Sequence, residues 1–215
     1  MIDFWNQRYA TEAYAYGEQP NAFFKEQIQQ LKPGVILLPC EGEGRNAVYA
    51  AKLGWETFAF DQSSEGRKKA LRLAEKHAVT IHYVLNTFED LPYAPKQFDA
   101  IALIFAHFPS ALKATYFGQL HPLLKAGGTV IFEGFSKQHL RYNLKNEKAG
   151  GPKDADMLYS AEEIKTLFSG YAIQKLAEEE IVLNEGLFHV GEASVVRFVG
   201  QKTNDTGSCR HNANL

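Results

Sequence analysis

Between Val35 and Ala47 a continuous apolar run gives way to Pro39-Cys40-Glu41-Gly42-Glu43-Gly44 and then to Arg45-Asn46-Ala47, the pattern of a strand, a tight glycine loop and a helix start. Glycines at 42 and 44 would let a ligand approach the backbone closely. The following helix would offer unpaired N–H groups and the positive end of its dipole. A nucleotide-like ligand suits such a loop. The spacing Gly42-x-Gly44-x-x-Ala47 also satisfies a dinucleotide fingerprint with alanine in third place, and glycine loops also occur where nothing binds. Asp61 closes the next apolar run. A carboxylate there could accept both hydroxyls of a ribose, or it could cap the helix that follows.

Two further segment ends carry polar groups, Asn86-Thr87-Phe88 and Phe105-Ala106-His107-Phe108-Pro109. The first could read and cover an adenine edge. In the second, His107 is the candidate general base or orienting group, with the alternative that it caps the next helix or packs in its loop. His189 could close the same rim, although a position beside a turn is more often solvated. Glu133 could face the site but reads more readily as a solvated carboxylate, and Glu178-Glu179-Glu180 reads as an exposed strand start. Among the N-terminal aromatics, Trp5, Tyr9 and Tyr16 are candidates for a lid, whereas Phe23 and Phe24 read as helix core. The seven histidines do not pair at metal-ligand spacing, and two distant cysteines, Cys40 and Cys209, exclude a disulfide framework or a cysteine-rich zinc site. No metal is expected.

These groups need a scaffold, and the rest of the chain supplies its pattern. At 215 residues, 45% hydrophobic and 22% charged, the chain has the size and composition of a single domain burying about 70% of its unfolded surface. Short apolar runs alternate with helical stretches from residue 34, which argues for parallel strands joined by helices. The strands are expected at 35–39, 56–61, 79–85, 98–105 and 129–133. Helices are expected at 45–53, from Ser63 or Ser64 to about His77, and at 110–125, with Lys125-Ala126-Gly127-Gly128 as the turn that ends the third. Ser160 and Glu163 form a capping box for a further helix. Runs 171–183 and 188–201 are separated by only Asn184-Glu185-Gly186-Leu187, a connection that permits an antiparallel hairpin and no parallel crossover. Residues 1–33 form an N-terminal helical and aromatic lid segment of the same domain, 34–201 its main body, and 202–215 a polar tail. The connection 136–159 is a long polar loop of the kind that often carries function.

Taken together, Trp5-Asn6-Gln7-Arg8-Tyr9, Tyr16-Gly17-Glu18-Gln19-Pro20-Asn21, Glu41 to Ala47, Phe98-Asp99-Ala100-Ile101 and Leu124 to Gly128 resemble the class I S-adenosylmethionine-dependent methyltransferases. Within that class they look most like the small branch related to tellurite-resistance and thiopurine methyltransferases. The resemblance spans roughly residues 4–201. It implies an α/β, Rossmann-like, doubly wound seven-stranded sheet, mostly parallel, with an antiparallel C-terminal hairpin strand. It also implies S-adenosyl-L-methionine as cofactor, bound by Trp5, Tyr9, Cys40, Glu41, Gly42, Gly44, Asn46, Asp61, Gln62, Asn86, Thr87, Phe88 and Ala106. Asp61 would hold the ribose, Asn86, Thr87 and Phe88 would face adenine, and Tyr16, His107 and His189 would meet the substrate.

Three positions depart from the family: Cys40 where the first loop glycine stands, Leu38 where the first strand usually ends in an acid, and Asn86 in place of the common adenine-binding Asp. Glu41 is then a candidate to meet the cofactor's ammonium. The substrate is expected to be a small molecule, a thiol or chalcogen compound being the leading class. A formal charge of -2 offers nucleic acid no general attraction. The lack of a signal-like start or a long apolar run points to a cytoplasmic protein without a membrane partner. A binding module without transferase activity and an NAD(P)-dependent oxidoreductase stand as alternatives.

Overall fold

A computed structural model describes residues 2–203; the expected tail lies outside the described residues from 204 onward, with Cys209 and His211. Its first residue, Lys202, still belongs to a strand. Seven strands form one sheet: β1 (Val35–Pro39), β2 (Glu56–Asp61), β3 (His82–Leu85), β4 (Phe98–Ile104), β5 (Leu124–Phe135), β6 (Tyr171–Glu185) and β7 (His189–Lys202), in the spatial order 3-2-1-4-5-7-6. Strands β1 to β5 pair parallel, and β7 runs antiparallel to both β5 and β6. The reversed strand is therefore not the sheet's edge. It slots between β5 and β6: the short turn lays it back against β6, and its other edge pairs with β5.

Helices α1 (Ile2–Tyr9) and α2 (Ala22–Ile28) precede the sheet, α3 (Arg45–Lys52) and α4 (Ser64–Lys76) follow β1 and β2, and α5 (Ser110–Leu120) links β4 to β5. A short α6 (Leu140–Asn143) lies in the 136–159 connection, and α7 (Ala161–Leu167) leads into β6. Two side chains cap as the sequence predicts: Ser63 Oγ accepts from Gly66 N and Ser160 Oγ from Glu163 N. The box at Ser160 is only half formed, because the Glu163 carboxylate turns instead to Lys113 at 2.9 Å.

Two boundaries differ for identifiable reasons. Helix α5 stops at Leu120 and passes into a 3-10 turn containing Pro122, whose ring blocks continuation of the helix. The chain then enters β5 at Leu124, so Lys125 to Gly128 are an irregularity inside a strand, where the β4–β5 register shifts, and not a turn ending a helix. Strand β3 is shorter than the apolar run suggested, beginning at His82.

The core divides across the sheet. One face buries Phe23, Phe24, Ile28, Leu38, Val48 and Leu73; the other buries Leu37, Phe60, Phe117, Phe132, Phe168 and Phe198. The alternation of Leu37 and Leu38 between the faces is the period of two that a strand covered on both sides requires. Truncating a ring such as Phe117 or Phe132 would cost about 3–5 kcal/mol. Among the described residues no helix is long and apolar enough to cross a membrane.

Candidate functional site

Because β1 and β4 are neighbours whose helical crossovers leave on opposite sides, their carboxyl ends open into the crevice typical of such sheets. That crevice is a cleft of about 1180 Å³, roomier than the ~300–1,000 Å³ of a typical single-ligand pocket. Its walls include Trp5, Tyr9, Tyr16, Cys40, Glu41, Asn46, Asp61, Gln62, Asn86, Thr87, Phe88, Ala106, His107 and His189. Nearly all of the expected site residues thus share one cavity.

Gly42 and Gly44 are the exceptions, and the expectation that they bring a ligand to the backbone is corrected. A Cβ on Gly42 would lie 2.6 Å from the Tyr9 hydroxyl, and one on Gly44 would lie 2.5 Å from the Ala70 Cβ. What approaches these glycines is α1 and α4. The loop's exposed inner surface is instead Cys40 and Glu41, and Cys40 holds the left-handed conformation, φ 55°, which favours glycine. A non-glycine residue there stores of order 1–3 kcal/mol of strain, which the surrounding packing has to overcome.

The loop carries its own anion. Glu41 Oε1 accepts from Asn46 N and Ala47 N, each at 2.8 Å, and Oε2 accepts from Asn46 Nδ2 at 3.4 Å. The first turn of α3 is therefore capped from within, so its N–H groups are not the open anion site that the sequence suggested. Burial pushes the Glu41 carboxyl up to about 7 despite these bonds. The carboxylate bonds α3 through Oε1, while Oε2 holds only the longer contact to Asn46 and Glu41 still lines the cleft.

Asp61 ends β2 beside this loop. Its Oδ2 accepts from Gly42 N at 3.1 Å and its Oδ1 from Ser63 N at 2.8 Å, so each oxygen keeps acceptor capacity. Burial raises its carboxyl to about 6, with the Ser63 and Gly42 N–H bonds opposing. Asn86 also bonds its own turn, its Oδ1 accepting from Thr87 N and its Nδ2 donating to Asp90 O, and the amide keeps one lone pair and one N–H while lining the cleft. Phe88, stacked on Tyr116 at 4.7 Å and edge-on to Phe60 and Phe108, gives this end an aromatic wall.

The opposite end is built differently. His107, the expected base, is held at both nitrogens: Nδ1 donates to Met157 O at 2.9 Å, and Nε2 accepts from Phe135 N at 3.2 Å. Burial pushes its pKa down to about 3. With no lone pair left it cannot take a proton, so its part is to tie the 136–159 connection to the end of β4. His189, expected to be solvated, is buried (4% exposed) against Tyr16 at 4.4 Å and Phe105 at 4.5 Å. Its Nδ1 faces Glu185 Oε2 at 3.3 Å; burial lowers its pKa to about 4 although Glu185 opposes the shift.

Glu133 is likewise corrected. It is fully buried, its carboxylate accepting from Asn21 Nδ2 at 2.7 Å and Arg197 Nε at 2.5 Å. Glu179, within the acidic triplet and inside β6, also pairs with Arg197 at 2.7 Å.

The two segments outside the alternating core each cover one part of the cleft and each hang from a buried lysine. Lys69 donates to Thr11 O and Ala13 O and pairs with Glu43 at 2.5 Å. Lys113 donates to Leu158 O at 2.7 Å and pairs with Glu163. Arg45, Phe135 and Gly150 also line the cleft, and the sequence did not single them out. A hint lay in Arg45 directly after the loop; nothing local marks the others.

Residues 36–128 match the family model described as a methyltransferase domain. The fold is a methyltransferase fold. A protein solved in work on the conversion of a disulfide bond into a thioacetal group during echinomycin biosynthesis superposes with a TM-score of 0.77 at 16% identity, over 97% of this chain and 95% of that one. The magnesium protoporphyrin IX methyltransferase ChlM from Synechocystis PCC 6803, solved with bound SAH, gives 0.67 at 13% identity, over 94% and 97%. TehB from Haemophilus influenzae gives 0.66 at 15% identity, over 94% of this chain and 67% of that one. No curated protein sequence matches. Within this methyltransferase fold, the polar end of the cleft is the one formed by β1, β2 and the glycine loop.

Proposed function

We propose that the protein is an S-adenosyl-L-methionine-dependent methyltransferase acting on a small molecule held in the aromatic end of the cleft. The observation that carries this reading is the carboxylate pair at the polar end. Asp61 keeps acceptor capacity for ribose hydroxyls, while Glu41 already fills the anion site at the start of α3. A dinucleotide would bring its pyrophosphate against that carboxylate, whereas S-adenosyl-L-methionine has ribose and no phosphate. The same arrangement, with the reversed β7, disfavours an NAD(P)-dependent oxidoreductase.

The cofactor is S-adenosyl-L-methionine, which supplies an activated methyl group when bound. Asp61 and Gln62 would hold its ribose, Thr87 and Phe88 would flank its adenine, and Cys40, Asn46 and Ala106 would line its amino-acid part, with Trp5 and Tyr9 as the cover. Tyr16, Phe105, Phe135 and His189 enclose the acceptor and exclude water. Holding acceptor and methyl in line is worth about 7–11 kcal/mol of barrier. His189 Nε2, which has no partner among the described residues, accepts the acceptor's proton in place of His107. An aromatic wall favours a soft, weakly hydrated nucleophile, which supports a thiol or chalcogen acceptor. The small-molecule assignment follows from a cleft enclosed by two short segments, and nucleic acid is not a partner.

The test is calorimetry with S-adenosylhomocysteine, followed by transfer of labelled methyl to a panel of thiols, phenols, selenite and tellurite. Binding with transfer to thiols is expected. Absence of binding overturns the assignment, and binding with transfer to no member of the panel leaves the fold as a cofactor-binding module only.

A further inference from the structure

Glu185 and His189 are register partners flanking the turn between β6 and β7. The turn is pinned against the N-terminal segment. Leu187 N donates to Ala15 O at 2.8 Å, and a Cβ on Gly186 would fall 2.4 Å from Gly17 N. At the closed end of this turn a single carboxylate serves three elements. Glu185 Oε2 accepts from Arg45 Nη2 at 2.8 Å and lies 3.3 Å from His189 Nδ1; Oε1 accepts from Asn21 Nδ2 at 3.1 Å.

The plane of the His189 ring is fixed by Tyr16, Phe105 and Phe135. Packing alone leaves open which nitrogen bears the proton. The tautomer of a neutral imidazole follows from the hydrogen bond made by the other nitrogen, and among the described residues only Glu185 bonds this ring. Nε2 lies beside Gly150, where a Cβ would come within 3.3 Å of it and 2.2 Å of Phe188 O. The bare glycine keeps that nitrogen uncovered.

We propose that Glu185 is a positioning residue that fixes His189 as the Nδ1–H tautomer, so that the Nε2 lone pair faces the acceptor's X–H bond. The proposal rests on the methyltransferase reading for its purpose, though not for its geometry. In water a neutral imidazole carries its proton mainly on Nε2; without Glu185 the lone pair would move to Nδ1, away from the acceptor. In the transfer step the X–H proton passes to Nε2 as the X–C bond forms and the methyl–sulfur bond breaks, leaving imidazolium paired with Glu185.

The experiment is long-range 1H–15N NMR of the labelled protein, with the His189 signals assigned by their loss in His189→Gln. The wild type is expected to show a protonated Nδ1 and an unprotonated Nε2. Glu185→Ala should move the proton to Nε2 and lower kcat about 100-fold, within the range that proton transfer contributes. Glu185→Gln retains an acceptor oxygen and should keep both the tautomer and most of kcat. Both variants remove the counter-ion of Arg45, so their difference isolates the tautomer from that ion pair. A wild-type proton on Nε2, which needs no variant to fold, overturns the proposal. So does an unchanged tautomer in Glu185→Ala, or equal losses in the two variants. The expected tautomers without methyl transfer would instead count against the function.

Discussion

The polar half of the cleft takes Cys40, Glu41, Asp61 and Gln62 from a single strand-helix-strand unit. The aromatic half gathers Tyr16, Phe105, Phe135, Gly150 and His189 from five separate segments. In the first half local chemistry places each group: a loop closed by its own glutamate, a strand ending in an aspartate that bonds the loop's Gly42 N–H. In the second, rings are placed by packing against one another and by hydrogen bonds across the molecule.

The sharpest break of that comparison is at the two buried lysines. Lys69→Met would strand Glu43, whose side chain is only 3% exposed, and loss of one partner from a buried pair costs about 3–5 kcal/mol. Lys113→Met leaves Glu163 at 23% exposure with Lys137 at 3.6 Å as a second partner, so its loss should be clearly smaller. Chemical denaturation of the two variants measures both. Equal losses would mean that the two covers are anchored alike.

Next in size are the two site variants, which should act on different steps. Asp61→Ala removes acceptor bonds to two hydroxyls; at about 1.5 kcal/mol or more for each bond to a charged group, calorimetry should show S-adenosylhomocysteine binding weakened about 100-fold or more. His189→Gln should leave that affinity unchanged while lowering kcat about 100-fold. Loss of cofactor affinity in His189→Gln would merge the two halves into one functional unit.

The same division explains what could be read from the chain. Strand β1, its loop, α3, β2 and Asp61 follow from neighbouring residues, as does the hairpin from its short turn. The surroundings of His107 and His189 could not be read locally because both depend on distant partners: Met157 O and the Phe135 N–H occupy the first, while Glu185 and the ring of Tyr16 bury the second. Glu133 looked solvated only because Arg197 and Asn21 lie far from it in sequence. Even in the legible half, Gly42 and Gly44 were identified correctly as special positions but for the wrong neighbour: α1 and α4 fill the space.

A smaller effect is expected at Gly150, whose φ of 74° and close neighbours Phe188 O and His189 leave no room for a side chain. Gly150→Ala should destabilise by about 1–3 kcal/mol, read as a lower Tm, and should perturb acceptor turnover more than cofactor binding, since only the aromatic half is touched.

The gentlest probe is pH. Burial holds the Asp61 carboxyl at about 6, so it is ionised above that value and accepts through both oxygens; below it, one oxygen carries a proton and becomes a donor facing a hydroxyl. Affinity for S-adenosylhomocysteine should therefore be level above about pH 7 and fall as pH drops through 6, approaching about tenfold per unit if only the ionised form binds. Asp61→Asn should flatten this part of the profile. Glu41, near 7, titrates in an adjoining range through the cap on α3, so whatever slope survives in Asp61→Asn reports on the loop's internal anion. A wild-type profile unchanged from pH 5 to 8 would show that the ribose contact does not depend on the Asp61 charge, and that the polar half holds its ligand by shape, as the aromatic half does.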